Sequence, residues 1–262
     1  MKKIFLSFVL VFSALQLSAQ LVSVDELAKN IKDPGLVVID ARPASDYLKT
    51  HIDGAINIDA VSLSTNVPVE GTLKSPAEMA KIFASNGVSP KNKVVIYCKT
   101  GVSAGRMYWV MKYIGFKDVS LLDGNMGAWF AARKPITKNA TKLAAASFSP
   151  SVNASMLATK DYVKSKMASA GTVLVDSRAA ADYTAGHIGE AISIPNDLLS
   201  VNSKLKPAAE LAKIFSAVPK DKEVIVYCKT GATGSFTYFV LTNVLKYPNV
   251  KLYAGSYSDW SH

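Results

Sequence analysis

The chain holds two cysteines, and both stand in the same short phrase. Val94-Val95-Ile96-Tyr97-Cys98-Lys99-Thr100-Gly101 returns as Val224-Ile225-Val226-Tyr227-Cys228-Lys229-Thr230-Gly231. The β-branched run before each cysteine reads as a buried strand, and a glycine-containing turn and an apolar helical pattern follow it. Each thiol is therefore expected at a helix N-terminus, where unpaired amides and the helix dipole favour the thiolate. Four residues separate each cysteine from a hydroxyl, Ser103 or Thr233, with Gly101 or Gly231 between. Glycine lets the backbone curl so that successive N–H groups converge on the sulfur as an anion-binding nest. Such a nest suits a thiolate or the terminal sulfur of a persulfide. The candidate nucleophiles are Cys98 and Cys228. The candidate substrate-binding loops are Lys99, Thr100, Gly101, Val102, Ser103 and Lys229, Thr230, Gly231, Ala232, Thr233.

The elements that must position these loops are duplicated as well. Asp40-Ala41-Arg42 matches Asp176-Ser177-Arg178, and His51-Ile52 matches His187-Ile188, both at an offset of 136. The offset drifts to 132 for Leu73 to Phe83 against Leu205 to Phe215, to 130 at the cysteines and to 131 at Trp129 and Trp260, as loop indels would produce. Two domains are expected, 21–138 and 156–262, joined by an Ala/Ser/Thr-rich linker over 139–155. In the first, Ser23-Val24-Asp25-Glu26 and Ser75-Pro76-Ala77-Glu78 read as capping boxes opening helices. Leu36-Val37-Val38-Ile39 and Val119-Ser120-Leu121-Leu122 read as strands, and Met107, Val110, Met111 and Ile114 as an apolar helical stripe ending at Gly115. Continuous Val/Ile strands alternating with amphipathic helices predict an α/β fold, a mostly parallel sheet flanked by helices in each domain. Ligands then bind at the carboxyl ends of the strands.

The N-terminus begins Lys2-Lys3, runs apolar from Ile4 to Leu15 and ends in small residues at Leu17-Ser18-Ala19. It is expected to be a signal peptide over 1–19, cleaved after Ala19, which predicts an exported chain, periplasmic or secreted. The apolar run is too short to span a bilayer, and no stable membrane insertion is expected after leader removal. The formal net charge of +10 is spread along both halves as scattered lysines, which predicts a solvated basic surface rather than a nucleic-acid partner.

With these motifs in order, the chain resembles the rhodanese family, specifically its tandem two-domain sulfurtransferases. The resemblance runs in the first copy through Asp40-Ala41-Arg42, Asp46-Tyr47, His51 to Asn57, Cys98 to Ser103, and Gly124 with Trp129. In the second it runs through Asp176-Ser177-Arg178, Asp182-Tyr183, Gly186-His187-Ile188, Ala191-Ile192, Cys228 to Thr233, and Gly255-Ser256 with Asp259-Trp260. It implies two tandem rhodanese-like domains and a cysteine that accepts a sulfane sulfur as a persulfide. The donor would be a small molecule such as thiosulfate or 3-mercaptopyruvate, the acceptor cyanide or a thiol, with neither cofactor nor metal. The resemblance also favours Cys228 slightly, since tandem members usually work through the second domain. An alternative within the same resemblance is a persulfide carrier or partner-binding module without turnover.

Other residues invite weighing. Arg42 with Asp46, and Arg178 with Asp182, are four apart and predict loop-bracing ion pairs. His51 and His187 would suit a Cys-His dyad, but the family's chemistry does not need that base, and the matching histidine is usually a fold element. Phosphatases that share the fold place an arginine six residues after the cysteine. Here those positions are Ala104 and Gly234, and Arg106, two residues further on, reads as a charge on the helix surface or behind the loop. Where thiosulfate enzymes of the family carry an anion-binding arginine before the aromatic, this chain has Asp46 and Asp182. Where they carry a lysine two residues after the cysteine, it has Thr100 and Thr230. Gly189-Glu190 replaces the family's proline-glycine pair. A disulfide between the two cysteines is disfavoured by their equivalent places in separate domains.

Overall fold

The computed structural model describes residues 20–262, so the expected leader over 1–19 lies outside the described residues. Two five-stranded parallel sheets form the frame. In the first the strand order is Leu21–Val22, Val119–Leu122, Lys93–Tyr97, Leu36–Asp40, Ile56–Asn57. The second repeats it as Leu157–Ala158, Val250–Tyr253, Glu223–Tyr227, Thr172–Asp176, Ile192–Ser193. Central strands such as Val94–Tyr97 and Val224–Tyr227 are buried throughout, because helices cover both faces and every side chain points into a core. The strand that precedes each cysteine is thus the middle of its sheet, the most constrained place available.

The helices form where the sequence signals them. Ser75 caps helix Pro76–Ser85 through a reciprocal box with Glu78, and Ser23 caps Val24–Asn30 by accepting from the Glu26 amide. The helix after Cys98 spans Val102–Tyr113 and stops before Gly115, whose φ of +106° a side chain would resist. No regular element lies between Ile136–Thr137 and the turn Ala154–Met156.

The helix Val102–Tyr113 is buried on nearly all sides because it packs against its counterpart Ala232–Phe239 from the second domain. Trp109 is fully buried, stacked on Tyr113 at 5.0 Å and meeting Tyr238 edge-on at 6.5 Å, while Tyr108 meets Phe239 at 4.9 Å. One apolar cluster consequently runs through both domains. Each large apolar side chain sequestered there stabilises by about 2–3 kcal/mol, which makes the interface part of the core. Among the described residues no helix is long and apolar enough to cross a membrane.

Candidate active site

Each cysteine sits at the turn from central strand to helix, 1 % exposed at Cys98 and 2 % at Cys228. Gly101 and Gly231 have φ of +100° and +85°, in the left-handed region that glycine tolerates. That bend turns their amides back toward the sulfurs, which accept at 3.0 Å for Cys98 Sγ and 3.1 Å for Cys228 Sγ. Both cysteines are unpaired thiols. Burial pushes the Cys98 thiol up from its ordinary value, and the amides of Ala104, Gly101, Thr100 and Ser103 act against it without overcoming it. The helix N-terminus therefore does not make Cys98 acidic, contrary to the expectation from placement alone, because desolvation of the charged form is the larger effect.

Two residues given no role in the sequence analysis, Asn125 and the Ser256 of the Gly255-Ser256 stretch, brace these loops. Asn125 Oδ1 accepts from the Cys98 amide at 3.0 Å, and Ser256 Oγ accepts from the Cys228 amide at 3.1 Å. Both have positive φ, +54° and +56°, which non-glycine residues adopt only when their surroundings hold them there. Ser256 Oγ is also 3.9 Å from Cys228 Sγ. The available signal was the repeat itself, Gly124-Asn125 before Trp129 and Gly255-Ser256 before Trp260.

The expected ion pairs form with other partners. Arg42 Nη2 is 2.5 Å from Asp40 and Arg178 Nη2 is 2.6 Å from Asp176, whereas Asp46 meets Lys49 at 3.5 Å and Asp182 is an exposed residue. The reason is geometric: Asp40 and Asp176 end central strands and point inward, and the following residue but one folds back over them. Each arginine also donates to a loop carbonyl, Thr50 or Gly186, so the pair pins the loop as foreseen. His51 stacks on Tyr47 at 3.6 Å, with its ring nitrogens 2.7 and 3.1 Å from the carbonyl oxygens of Tyr47 and Asn139. His187 repeats the stack on Tyr183 at 4.0 Å. Among the described residues neither imidazole bonds to a cysteine, so both are fold elements.

The loops face the boundary between domains. Hairpin Ser64–Thr65/Thr72–Leu73 of the first domain lies over the Cys228 loop, with Glu70 3.0 Å from Lys229 Nζ. Hairpin Ser200–Val201/Lys204–Leu205 of the second lies near the Cys98 loop, where Asn125 Nδ2 donates to Ser203 O at 3.1 Å and Lys204 Nζ is 3.6 Å from Asp123. A cleft of about 590 Å³ gathers Lys229, Thr233, Arg178 and Asp182 with Thr100 and Val102 of the other loop. Lys99 is exposed, Ser103, Thr230 and Ala232 are half-buried, and Gly101 and Gly231 are buried beneath them. Arg106 is not a surface charge. It is 3 % exposed, wedged between the domains, with Nη2 donating to Ser64 Oγ and Gly71 O at 3.2 Å each. No group of three or more His, Cys, Asp and Glu side chains among the described residues is arranged to hold a metal ion.

The arrangement offers a buried thiol against loop amides, beside a cleft whose walls carry mostly polar and charged residues. Comparison with known proteins agrees with that chemistry. The family model for the rhodanese-like domain matches residues 23–132 and again 159–262. A probable 3-mercaptopyruvate sulfurtransferase of Pseudomonas aeruginosa is 30% identical over 93% of this chain and 95% of its own. A thiosulfate sulfurtransferase of the same organism is 29% identical over 96% of both chains. The crystal structure of SseA from Escherichia coli, described as a 3-mercaptopyruvate sulfotransferase with the rhodanese fold, superposes with a TM-score of 0.85 at 30% identity, covering 92% of this chain and all of that one.

Proposed function

The chain belongs to the rhodanese-like domain family, as two tandem copies, and is a sulfurtransferase; we propose that it moves a sulfane sulfur from thiosulfate or 3-mercaptopyruvate through a cysteine persulfide to cyanide or a thiol. The observation that carries the route is the Gly231 amide aimed at Cys228 Sγ in a loop that opens on a polar cleft. With thiosulfate, the Cys228 thiolate attacks the outer sulfur. The S–S bond to the sulfonate breaks, sulfite leaves with the electron pair, and the cysteine carries a persulfide anion. Cyanide then attacks the terminal sulfur, thiocyanate departs and the thiolate returns, so charge balances in both halves. The nest stabilises each sulfur anion in turn by directed amide dipoles. Lys99 would draw the anionic donor toward the loops, while the charge of Lys229 is partly offset by Glu70 at 3.0 Å. Arg178 contributes less free charge, because Asp176 already holds it.

Export belongs to the same proposal, on the basis of Lys2-Lys3, the apolar run and Ala19. N-terminal sequencing of native envelope material should begin near Gln20, and a soluble cytoplasmic chain retaining Met1 would contradict it. The activity itself is tested on the reduced chain with thiosulfate or 3-mercaptopyruvate. Mass spectrometry should show a gain of one sulfur, and adding cyanide should release thiocyanate. If no donor loads either cysteine, the route through a persulfide is wrong.

A further inference from the structure

The helices that follow the two cysteines match at an offset of 130, which places Arg106 and Phe236 at equivalent positions. They cross closely, since a β-carbon on Gly105 would be 2.8 Å from Phe236 Cα. The crossing sends each side chain to the loop of the opposite domain. Arg106 Nη1 is 2.7 Å from where a β-carbon would stand on Gly231, and two ring carbons of Phe236 are 2.9 Å from the same point on Gly101. These are the glycines whose amides donate to the cysteine sulfurs. One loop is backed by a guanidinium and the other by a phenyl ring.

We propose that Arg106, supplied by the first domain, is a positioning cation that stabilises negative charge at Cys228, and that Phe236 leaves Cys98 without its equivalent. The extension from the thiolate to the persulfide rests on the sulfurtransferase reading above. Three observations support the charge role. Arg106 Nη1 is buried with no hydrogen-bond partner, although Nη2 has two. An unpaired donor on a buried cation is costly, and it is retained where negative charge offsets it. No carboxylate among the described residues pairs with Arg106, whereas Lys229 has Glu70 and Arg178 has Asp176. Burial draws the guanidinium down to about 10, and the charge interaction with Cys228 is what opposes this. A cavity of about 170 Å³ lined by Arg106, Ser103, Glu70 and Thr230 adjoins the head group. A purely structural strap would need only the bonds made by Nη2.

The test uses the reduced full chain and two alkylating reagents of different charge, neutral iodoacetamide and anionic iodoacetate, with peptide mass spectrometry counting Cys228 and Cys98 separately. Arg106→Gln should slow alkylation of Cys228 by iodoacetamide about tenfold, the effect of losing about 1.4 kcal/mol of charge stabilisation, and lower the iodoacetate-to-iodoacetamide rate ratio. Arg106→Met keeps the apolar stem, covers a failure of the glutamine variant to fold, and should behave alike. Arg106→Lys should retain most of the rate and the ratio, and rates at Cys98 should not move. Unchanged rates and ratio at Cys228 in the Gln and Met variants would overturn the proposal, as would a lysine variant as slow as the methionine one. Sulfur transfer is not part of this readout. Charge-dependent alkylation in a chain that takes up no sulfur would support the cation while sinking the persulfide route, and sulfur turnover with charge-independent alkylation would do the reverse.

Discussion

Gly71 and Thr230 meet across the domain boundary so closely that a β-carbon on Gly71 would stand 2.5 Å from Thr230 Cβ and 2.7 Å from its carbonyl oxygen. Thr230 is the residue before Gly231, whose amide donates to Cys228 Sγ, so the first domain presses on the nest of the second. Gly71→Ala adds this clash to the strain of a φ of +84°. Gly54 has the same φ with nothing within 4 Å, and so isolates the strain. Gly54→Ala should cost about 1 kcal/mol, and Gly71→Ala roughly 1–3 kcal/mol more. Urea midpoints give the comparison. Thiocyanate formation should fall only in the Gly71 variant, and equal effects in both would mean that the contact does not support the loop.

Ser256 and Asn125 make a second matched pair of substitutions. Removing the oxygen that accepts from a buried cysteine amide leaves that amide unsatisfied, at about 1–3 kcal/mol. Ser256→Ala should lower stability by that amount and disturb sulfur loading at Cys228. Asn125→Ala should cost a similar amount while leaving loading of Cys228 near wild type, because its bond is to the Cys98 loop. Peptide-resolved mass spectrometry after thiosulfate treatment checks both. Loss at Cys228 from the Asn125 variant and none from the Ser256 variant would contradict the assignment.

These two pairs also show what was legible beforehand. Strand Val119–Leu122, the Ser75 capping box and the cysteine turns could be read because hydrophobic period, cap chemistry and glycine placement are local properties. The duplication gave the tandem architecture for a similarly direct reason. Arg42 pairing with Asp40 rather than Asp46 was not legible, because spacing of four favours a pair only within a helix, and helix Ala44–Tyr47 begins after Arg42. The burial of Arg106 was hidden for a deeper cause. Its position depends on how two helices 130 residues apart cross, and a charged residue eight places after a cysteine looks the same in sequence on a surface or in an interface.

Alkaline pH should weaken the fold, and the sign follows from buried phenols. Desolvation raises Tyr97 and Tyr227 above the ordinary phenol value, aided by Asp40 and Asp176 beside them, and Tyr108, Tyr238 and Tyr253 shift the same way. In the unfolded chain these groups ionise near pH 10. Folding keeps them neutral, so their contribution is complete below that pH and is lost as pH rises through the folded values. Arg106 and Lys112, both drawn down by burial, oppose this at high pH, but the raised phenols outnumber them. The urea midpoint of the reduced chain should decline slightly from about pH 8.5, where an unfolded thiol ionises while the buried Cys98 does not, and fall steeply above about 10. A midpoint that rises there would show that the phenols do not govern.

The same asymmetry predicts a division of labour between the two thiols. Both loops hold a sulfur against a glycine amide, but burial pushes the Cys98 thiol up, while Cys228 has a guanidinium at its back. A thiol with a raised value supplies little thiolate at neutral pH, and the thiolate is the nucleophile. Cys228→Ser should therefore lower thiocyanate formation at least about 100-fold, and Cys98→Ser should keep more than about half of it. In the Cys228→Ser chain, alkylation of the remaining Cys98 should still be climbing beyond about pH 10, where an ordinary thiol, half ionised near about 8.5, has levelled off. The two variants separate the possible outcomes cleanly. Equal partial losses would mean two working sites, and a reversed order would place the chemistry at Cys98. Full activity in the double variant would remove both cysteines from the reaction.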